Sequence, residues 1–173
     1  GKTFATLSPR LSMKFQPTER LSLKASYTLM SQFVHKIANS FLDLPTDYWV
    51  PTTARLHPMR SWQVAAGTYM KPNKHWLLSL EAYYKRSSHI LQYSSWAGLE
   101  PPAANWDYMV MEGNGRSYGV ELDADYNVSN LTLHGSYTLS WTEKKFDDFY
   151  DGWYYDKFDN RHKLTLTGRW NIT

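Results

Sequence analysis

Cysteine is absent from the 173 residues. Thiolate catalysis, disulfides and cysteine metal sites are therefore excluded. That composition is compatible with passage through an oxidising compartment. No run of about 18 apolar residues occurs, so no transmembrane helix is expected. Mean hydropathy is negative, at −0.56. A strand that is apolar on one face only gives such a value even in a membrane. Charge of one sign is not concentrated either: 19 basic residues face 16 acidic ones, for a net charge of +3. The basic residues are scattered with no stripe on one element, which argues against nucleic acid as a partner. The six histidines are dispersed and show no ligand spacing, so neither a metal nor a cofactor is expected. No signal peptide opens the chain. Gly1 looks like a residue left by tag removal, and the pattern starts and stops in mid-course. The expectation is a section of a longer protein, a single partial domain over residues 1–173 with no plug.

Aromatic residues are abundant instead, at 16%, with Tyr 13, Trp 8 and Phe 7. Three strictly alternating runs accompany them within residues 106–171, the last two separated by a wide aromatic and acidic loop. Tyr118, Val120, Leu122, Ala124 and Tyr126 share one face, opposite Ser117, Gly119, Glu121, Asp123 and Asp125. Leu131, Leu133, Gly135, Tyr137, Leu139 and Trp141 then oppose Thr132, His134, Ser136, Thr138, Ser140 and Thr142. Leu164, Leu166, Gly168, Trp170 and Ile172 oppose Lys163, Thr165, Thr167, Arg169 and Asn171. Successive strand residues point to opposite faces, so this is β patterning. One face is apolar throughout and the other carries charge. A soluble sandwich must cover its apolar face with a second sheet. In an outer-membrane barrel that face meets lipid, and the polar face lines the lumen.

The rest of the chain repeats the form. Leu7, Pro9, Leu11, Met13 and Phe15 share a face, and Pro9 marks an edge or a bulge because it lacks a ladder donor. A turn over residues 16–20 leads to Leu21, Leu23, Ala25, Tyr27 and Leu29. Residues 31–60 form a long loop, and so do residues 94–114. Loops of that length are unusual unless functional. Between them run Trp62, Val64, Ala66, Thr68 and Met70, a short turn over residues 71–75, then Trp76, Leu78, Leu80, Ala82 and Tyr84. That strand continues irregularly towards Tyr93. About seven strands result, with short turns alternating with long loops. Phe15, Trp76, Tyr126 and Trp170 fall near the short-turn end of the apolar face. Tyr27, Trp62, Tyr84, Tyr118, Tyr137 and Trp141 fall near the long-loop end. Two such belts are what two lipid–water interfaces favour. The fold class is all-β, an antiparallel up-and-down meander forming a section of a transmembrane β-barrel.

Several constellations bear on chemistry. Arg10, Lys24, Glu81, Lys85, Glu121, Asp123, Asp125 and Arg169 project to the polar face, together with Lys14 and Lys163. They are candidates for a lumen charge network, against the plainer reading of a solvated face. Glu121, Asp123 and Asp125 lie two apart and offer oxygens to a hard cation. Basic neighbours explain them equally, and no metal is assigned. His134, Ser136 and Ser140 share a face, but a nucleophile needs an oriented base and an oxyanion hole and serine is also ordinary lumen lining, so no catalysis is expected. The loops carry Tyr48, Trp49, Trp96, Trp106, Tyr108, Trp153, Tyr154 and Tyr155. Tyr48, Trp49, Trp106, Trp153 and Tyr154 are the candidate ligand contacts, against packing of loop on loop. Glu112, Asp147, Asp148 and Asp151 stand nearby in sequence. That mixture suits an uncharged oligosaccharide or peptide better than a strongly anionic chelate.

The series Tyr118-Gly119-Val120-Glu121, Tyr137-Thr138-Leu139-Ser140-Trp141 and Asp159-Asn160-Arg161-His162-Lys163-Leu164 resembles the barrel of TonB-dependent outer-membrane receptors. Leu44-Pro45-Thr46-Asp47-Tyr48-Trp49-Val50-Pro51, Pro58-Met59-Arg60-Ser61 and Glu81-Ala82-Tyr83-Tyr84-Lys85 look like the same family upstream. The resemblance runs through nearly the whole chain in order. It implies a 22-stranded barrel with an N-terminal plug, importing nutrients across the outer membrane of Gram-negative bacteria with energy from TonB. The implied partners are the remaining barrel and plug, the TonB complex through an N-terminal region, and membrane lipid or lipopolysaccharide. This chain has no plug, no TonB box and about a third of the strands, so it would be a middle-to-late barrel section. Two other readings are a soluble β-sandwich module binding carbohydrate and a small outer-membrane barrel enzyme.

Overall fold

The computed structural model describes residues 5–37, 48–93, 106–108, 110–148 and 150–172. The side chains of Tyr48 and Trp106 lie outside the described residues, and so do Trp96 and Pro101-Pro102. The strands are β1 (Arg10–Thr18), β2 (Leu21–Gln32), β3 (Val34–Ile37), β4 (Tyr48–Pro51) and β5 (Met59–Met70). They continue with β6 (Trp76–Tyr93), β7 (Val110–Val128), β8 (Leu131–Lys145), β9 (Tyr154–Tyr155) and β10 (His162–Trp170). One antiparallel sheet runs in the order β1-β2-β5-β6-β7-β8-β10, with β9 added to β8. β3 and β4 make a separate two-stranded sheet. Along the main path each strand pairs with the one before and the one after it, as an up-and-down meander requires.

The register places the apolar residues in continuous rows. One row is Phe15, Leu23, Thr68, Leu80, Leu122, Tyr137 and Leu164. The next is Met13, Ala25, Ala66, Ala82, Val120 and Leu139. Because the side-chain period is two, a one-residue slip on any strand would break every row. No second sheet covers these rows among the described residues. Leu11, Met13, Leu164 and Leu166 are 68%, 69%, 65% and 74% exposed. Such an apolar surface exceeds what a soluble monomer exposes. The sandwich reading fails here, because among the described residues the only other sheet is the short β3–β4 pair at the loop end.

Aromatic rings edge this face at two heights. Trp62, Tyr84, Tyr118 and Trp141 form a ladder across four strands, with ring centroids 5.4, 6.2 and 5.3 Å apart in turn. At the other end Trp76 and Tyr126 lie 4.8 Å apart. From Trp76 to Tyr84 the strand climbs about 26 Å, or about 20 Å along the normal at a tilt of ~40°. That matches the apolar band of a membrane barrel, about 25 Å tall.

The short turns are tighter than the sequence suggested. β1 runs through Pro17 to Thr18 with a register shift after Phe15, leaving Glu19 and Arg20 as the turn. Pro9 stands just before β1, where its carbonyl accepts from Leu29 N at 2.9 Å, and β1 is an edge strand. In the turn before β6, Asn73 Oδ1 accepts from the backbone N–H of His75 and Trp76. The long-loop side needs larger corrections. Residues 31–60 are not one loop, since β2 reaches Gln32, β5 starts at Met59, and β3 and β4 pair between them. Residues 110–114 belong to β7 rather than to the preceding loop. Beyond the upper ladder the alternation of apolar and polar residues that marks a strand is lost. The small core sits at this end. Ile37, Val50, Leu56 and Val110 are buried together, with Leu91 and Tyr93 against them.

Candidate functional site at the loop end

Beyond the upper ladder, three segments converge on one carboxylate. Thr53 Oγ1 accepts from the backbone N–H of Arg55 and Leu56, which curls the chain after β4. Leu56 is buried and anchors that curl. His57 follows, and its N–H donates to Glu112 Oε1 at 2.6 Å. Its imidazole Nδ1 lies 3.3 Å from both carboxylate oxygens. On β6 the ladder to β7 shifts between Ser88 and Ile90, and His89 is the extra residue, with φ of 59°. A bulge re-aims the side chain it carries. His89 Nδ1 reaches Glu112 Oε2 at 2.8 Å. The two imidazole rings stand 4.9 Å apart.

Glu112 is half-buried. Burial favours its neutral form, but hydrogen bonds from the His57 amide and from the His89 and His57 imidazoles prevail and hold its pKa below the ordinary value. His35, on β3, is buried beside them, and burial lowers its pKa. His35 Nε2 is 3.5 Å from Thr52 Oγ1. The sequence offered no hint of this grouping. Glu112 is 55 positions from His57 and 23 from His89, and the strand register and the curl after β4 bring them together.

The loop aromatics have different fates. Trp49 is 66% exposed on β4. Trp153 lies under Arg116, whose guanidinium carbon is 4.4 Å from the ring centroid. Tyr154 donates to Gln92 Oε1 at 3.4 Å and meets Tyr150 edge-on. Tyr48 opens β4 and Trp106 opens a single 3-10 turn. Trp153 and Tyr154 therefore have scaffold partners, whereas Trp49 presents its ring to solvent. The loop after β8 is tied down by acids. Asp156 holds Lys144 at 2.6 Å, and Asp159 accepts from Thr142 N at 2.8 Å while pairing with Arg161 at 2.9 Å.

The polar face carries all eight residues of the expected network. Lys24, Gly67, Glu81, Glu121 and Thr138 form one row across it. Lys24 Nζ stands 4.1 Å over the Tyr69 ring, and Tyr69 donates to Glu81 at 3.3 Å. Asp123 accepts from Ser79 at 3.1 Å, Asp125 lies 2.7 Å from His134 Nδ1, and Arg169 donates to Asn171. Arg10 faces Thr28, and Lys85 lies between Gln63 and Ser117. Among the described residues, no salt bridge joins two of the eight. His134, Ser136 and Ser140 do share a face, but His134 is engaged by Asp125 and Ser140 by the Asn160 carbonyl. They form no nucleophile–base pair.

A search of curated proteins and a search of solved structures returned no match. The family model described as TonB dependent receptor-like, beta-barrel, matches residues 1–173. It describes outer-membrane receptors and transporters rather than enzymes. With the meander, the exposed apolar rows and the two aromatic belts, that match means that the chain belongs to the TonB-dependent receptor β-barrel family.

Proposed function

We propose that this chain is a section of the barrel of a nutrient importer in the outer membrane of a Gram-negative bacterium. The rest of the barrel and a plug would complete it, and the TonB complex would energise it through a region outside these residues. The observation that carries this reading is the unbroken meander with one apolar face edged by aromatic rings, a surface made for lipid. Arg86 and Arg116 follow the upper ladder on the same face. Arg86 would bring its guanidinium to headgroup height, where lipopolysaccharide phosphates suit it, whereas Arg116 is held by Glu143 and the Trp153 ring.

On the polar face, Arg10, Lys24, Glu81, Lys85, Glu121, Asp123, Asp125 and Arg169 would hold the plug or line the solute's path. The long loops would face outward and meet the nutrient first, an uncharged oligosaccharide or peptide. Trp49 is the foremost contact because its ring is exposed, with Tyr48, Trp106, Trp153 and Tyr154 around it in the loops. Aromatic rings stack on sugars and pack on peptides, combining an apolar face with a polar edge. The test is binding and uptake by the full-length protein with Trp49, Trp106 and Trp153 each changed to Ala. Trp49→Ala should weaken binding most, and Trp153→Ala less, because that ring already packs under Arg116. Unchanged affinity in all three would return these residues to loop packing.

A further inference from the structure

We infer that His57, His89 and Glu112 bind one divalent transition-metal ion of the zinc class at the loop end of the barrel. The inference stands on the local geometry and does not rest on the transport reading. One ligand atom from each residue lies within 4.8 Å of the other two. Zinc bonds of about 2.0–2.2 Å in a tetrahedron place donors roughly 3.4 Å apart. The His57–Glu112 and His89–Glu112 separations of 3.3 and 2.8 Å are already as short as that value or shorter. The two imidazole donors also lie within 4.8 Å of each other, and a bound ion would draw them together.

The donor set selects the ion. Two imidazoles and one carboxylate suit zinc, copper or nickel, whereas calcium and magnesium take sets built from oxygen. The carboxylate supplies one negative charge to offset the ion. The His57 N–H on Oε1 orients that carboxylate, as outer partners do at built metal sites. The side chains of His57, His89 and Glu112 are 53%, 37% and 25% exposed. An ion can therefore enter from solvent, and three protein donors leave a tetrahedral ion one position for water.

The backbone around the site aims these side chains at one another. His89 adopts the left-handed region at φ 59° in a bulge. Strain of this kind persists where the surroundings enforce it, often at functional sites. The bulge sets the imidazole against Glu112 on the neighbouring strand. The curl fixed by Thr53 and Leu56 brings His57 to the same carboxylate. A bound ion would cross-link β6, β7 and the segment between β4 and β5.

The experiment uses the full-length protein in detergent, stripped of metal with a chelator and titrated with zinc. Bound zinc is counted by elemental analysis after dialysis, and cobalt is added separately to read its visible absorption. The expected result is one zinc per chain and a cobalt spectrum, both weakened about tenfold or more by H57A, H89A or E112Q. His162→Ala, at a histidine on β10 outside the cluster, should leave both unchanged. Zinc should also slow proteolysis within residues 52–57. No stoichiometric zinc in the wild type would overturn the inference, and so would equal binding in all three cluster variants. If H89A fails to fold because it alters the bulge, H57A decides, since His57 is an exposed residue outside the ladder.

Discussion

Leu122 and Asp123 are chain neighbours that meet opposite surroundings. Leu122 lies in an apolar row between Leu80 and Tyr137, while Asp123 takes a hydrogen bond from Ser79 on the other face. Leu133 and Thr132 divide in the same way on β8. An arginine on the lipid face near the bilayer midplane costs about 2–4 kcal/mol, and much less on the wet face. Leu122→Arg and Leu133→Arg in the full-length protein should lower stability by that amount. Changes at Asp123 or Thr132 should have far smaller effects. Denaturant unfolding in liposomes measures both sets, and equal losses would refute the assignment of faces. These single-residue orientations were legible in the sequence because a period of two leaves only two choices per strand. The partners of each polar side chain were not legible. Lys24 settles over Tyr69 rather than beside a carboxylate, a choice that depends on which strand comes next to which.

The strands between the aromatic belts could be read directly, since lipid on one side and water on the other impose alternation. Outside the belts that constraint lapses. The sequence therefore hid β3 and β4 within a supposed loop and concealed the first part of β7, where Glu112 sits. The histidine cluster was illegible for the same reason, being built from register and from the His89 bulge. Within the belts the fit between strands is close at particular points. A Cβ on Gly119 would lie 2.6 Å from the Leu139 carbonyl oxygen and 2.9 Å from Ser140 Cβ. Backbone cannot yield as the end of a side chain can, so β7 and β8 would have to part. A Cβ on Gly115, on the same strand and the same face, meets nothing nearer than 3.5 Å. Gly119→Ala should therefore impair membrane assembly of the full-length protein, while Gly115→Ala should assemble normally. Heat-modifiable migration on gels reports this, and similar assembly of the two would show that the strands are not so closely set.

At the scale of the whole molecule, the sheet has rows of large apolar side chains and almost nothing packed on them. The buried apolar residues number five among those described, namely Ile37, Val50, Leu56, Val110 and Phe146. The four of these that cluster together do so at the loop end. Hydrophobic burial within the chain is thus too small to hold a sheet of this size in water. Stabilising contacts from outside it are therefore needed, such as lipid on the apolar face of a barrel of this family. Among the described residues, β1 and β10 are each paired on one side only. Their free backbone groups find no water in a bilayer, and in solution they template pairing with another chain. The 173 residues alone should therefore form oligomers joined edge to edge, or remain dispersed only when detergent covers the apolar rows. Light scattering of the refolded chain, with and without detergent, checks this. A stable monomer free of detergent, with the circular dichroism of a sheet, would mean that the apolar face had found cover within the chain itself.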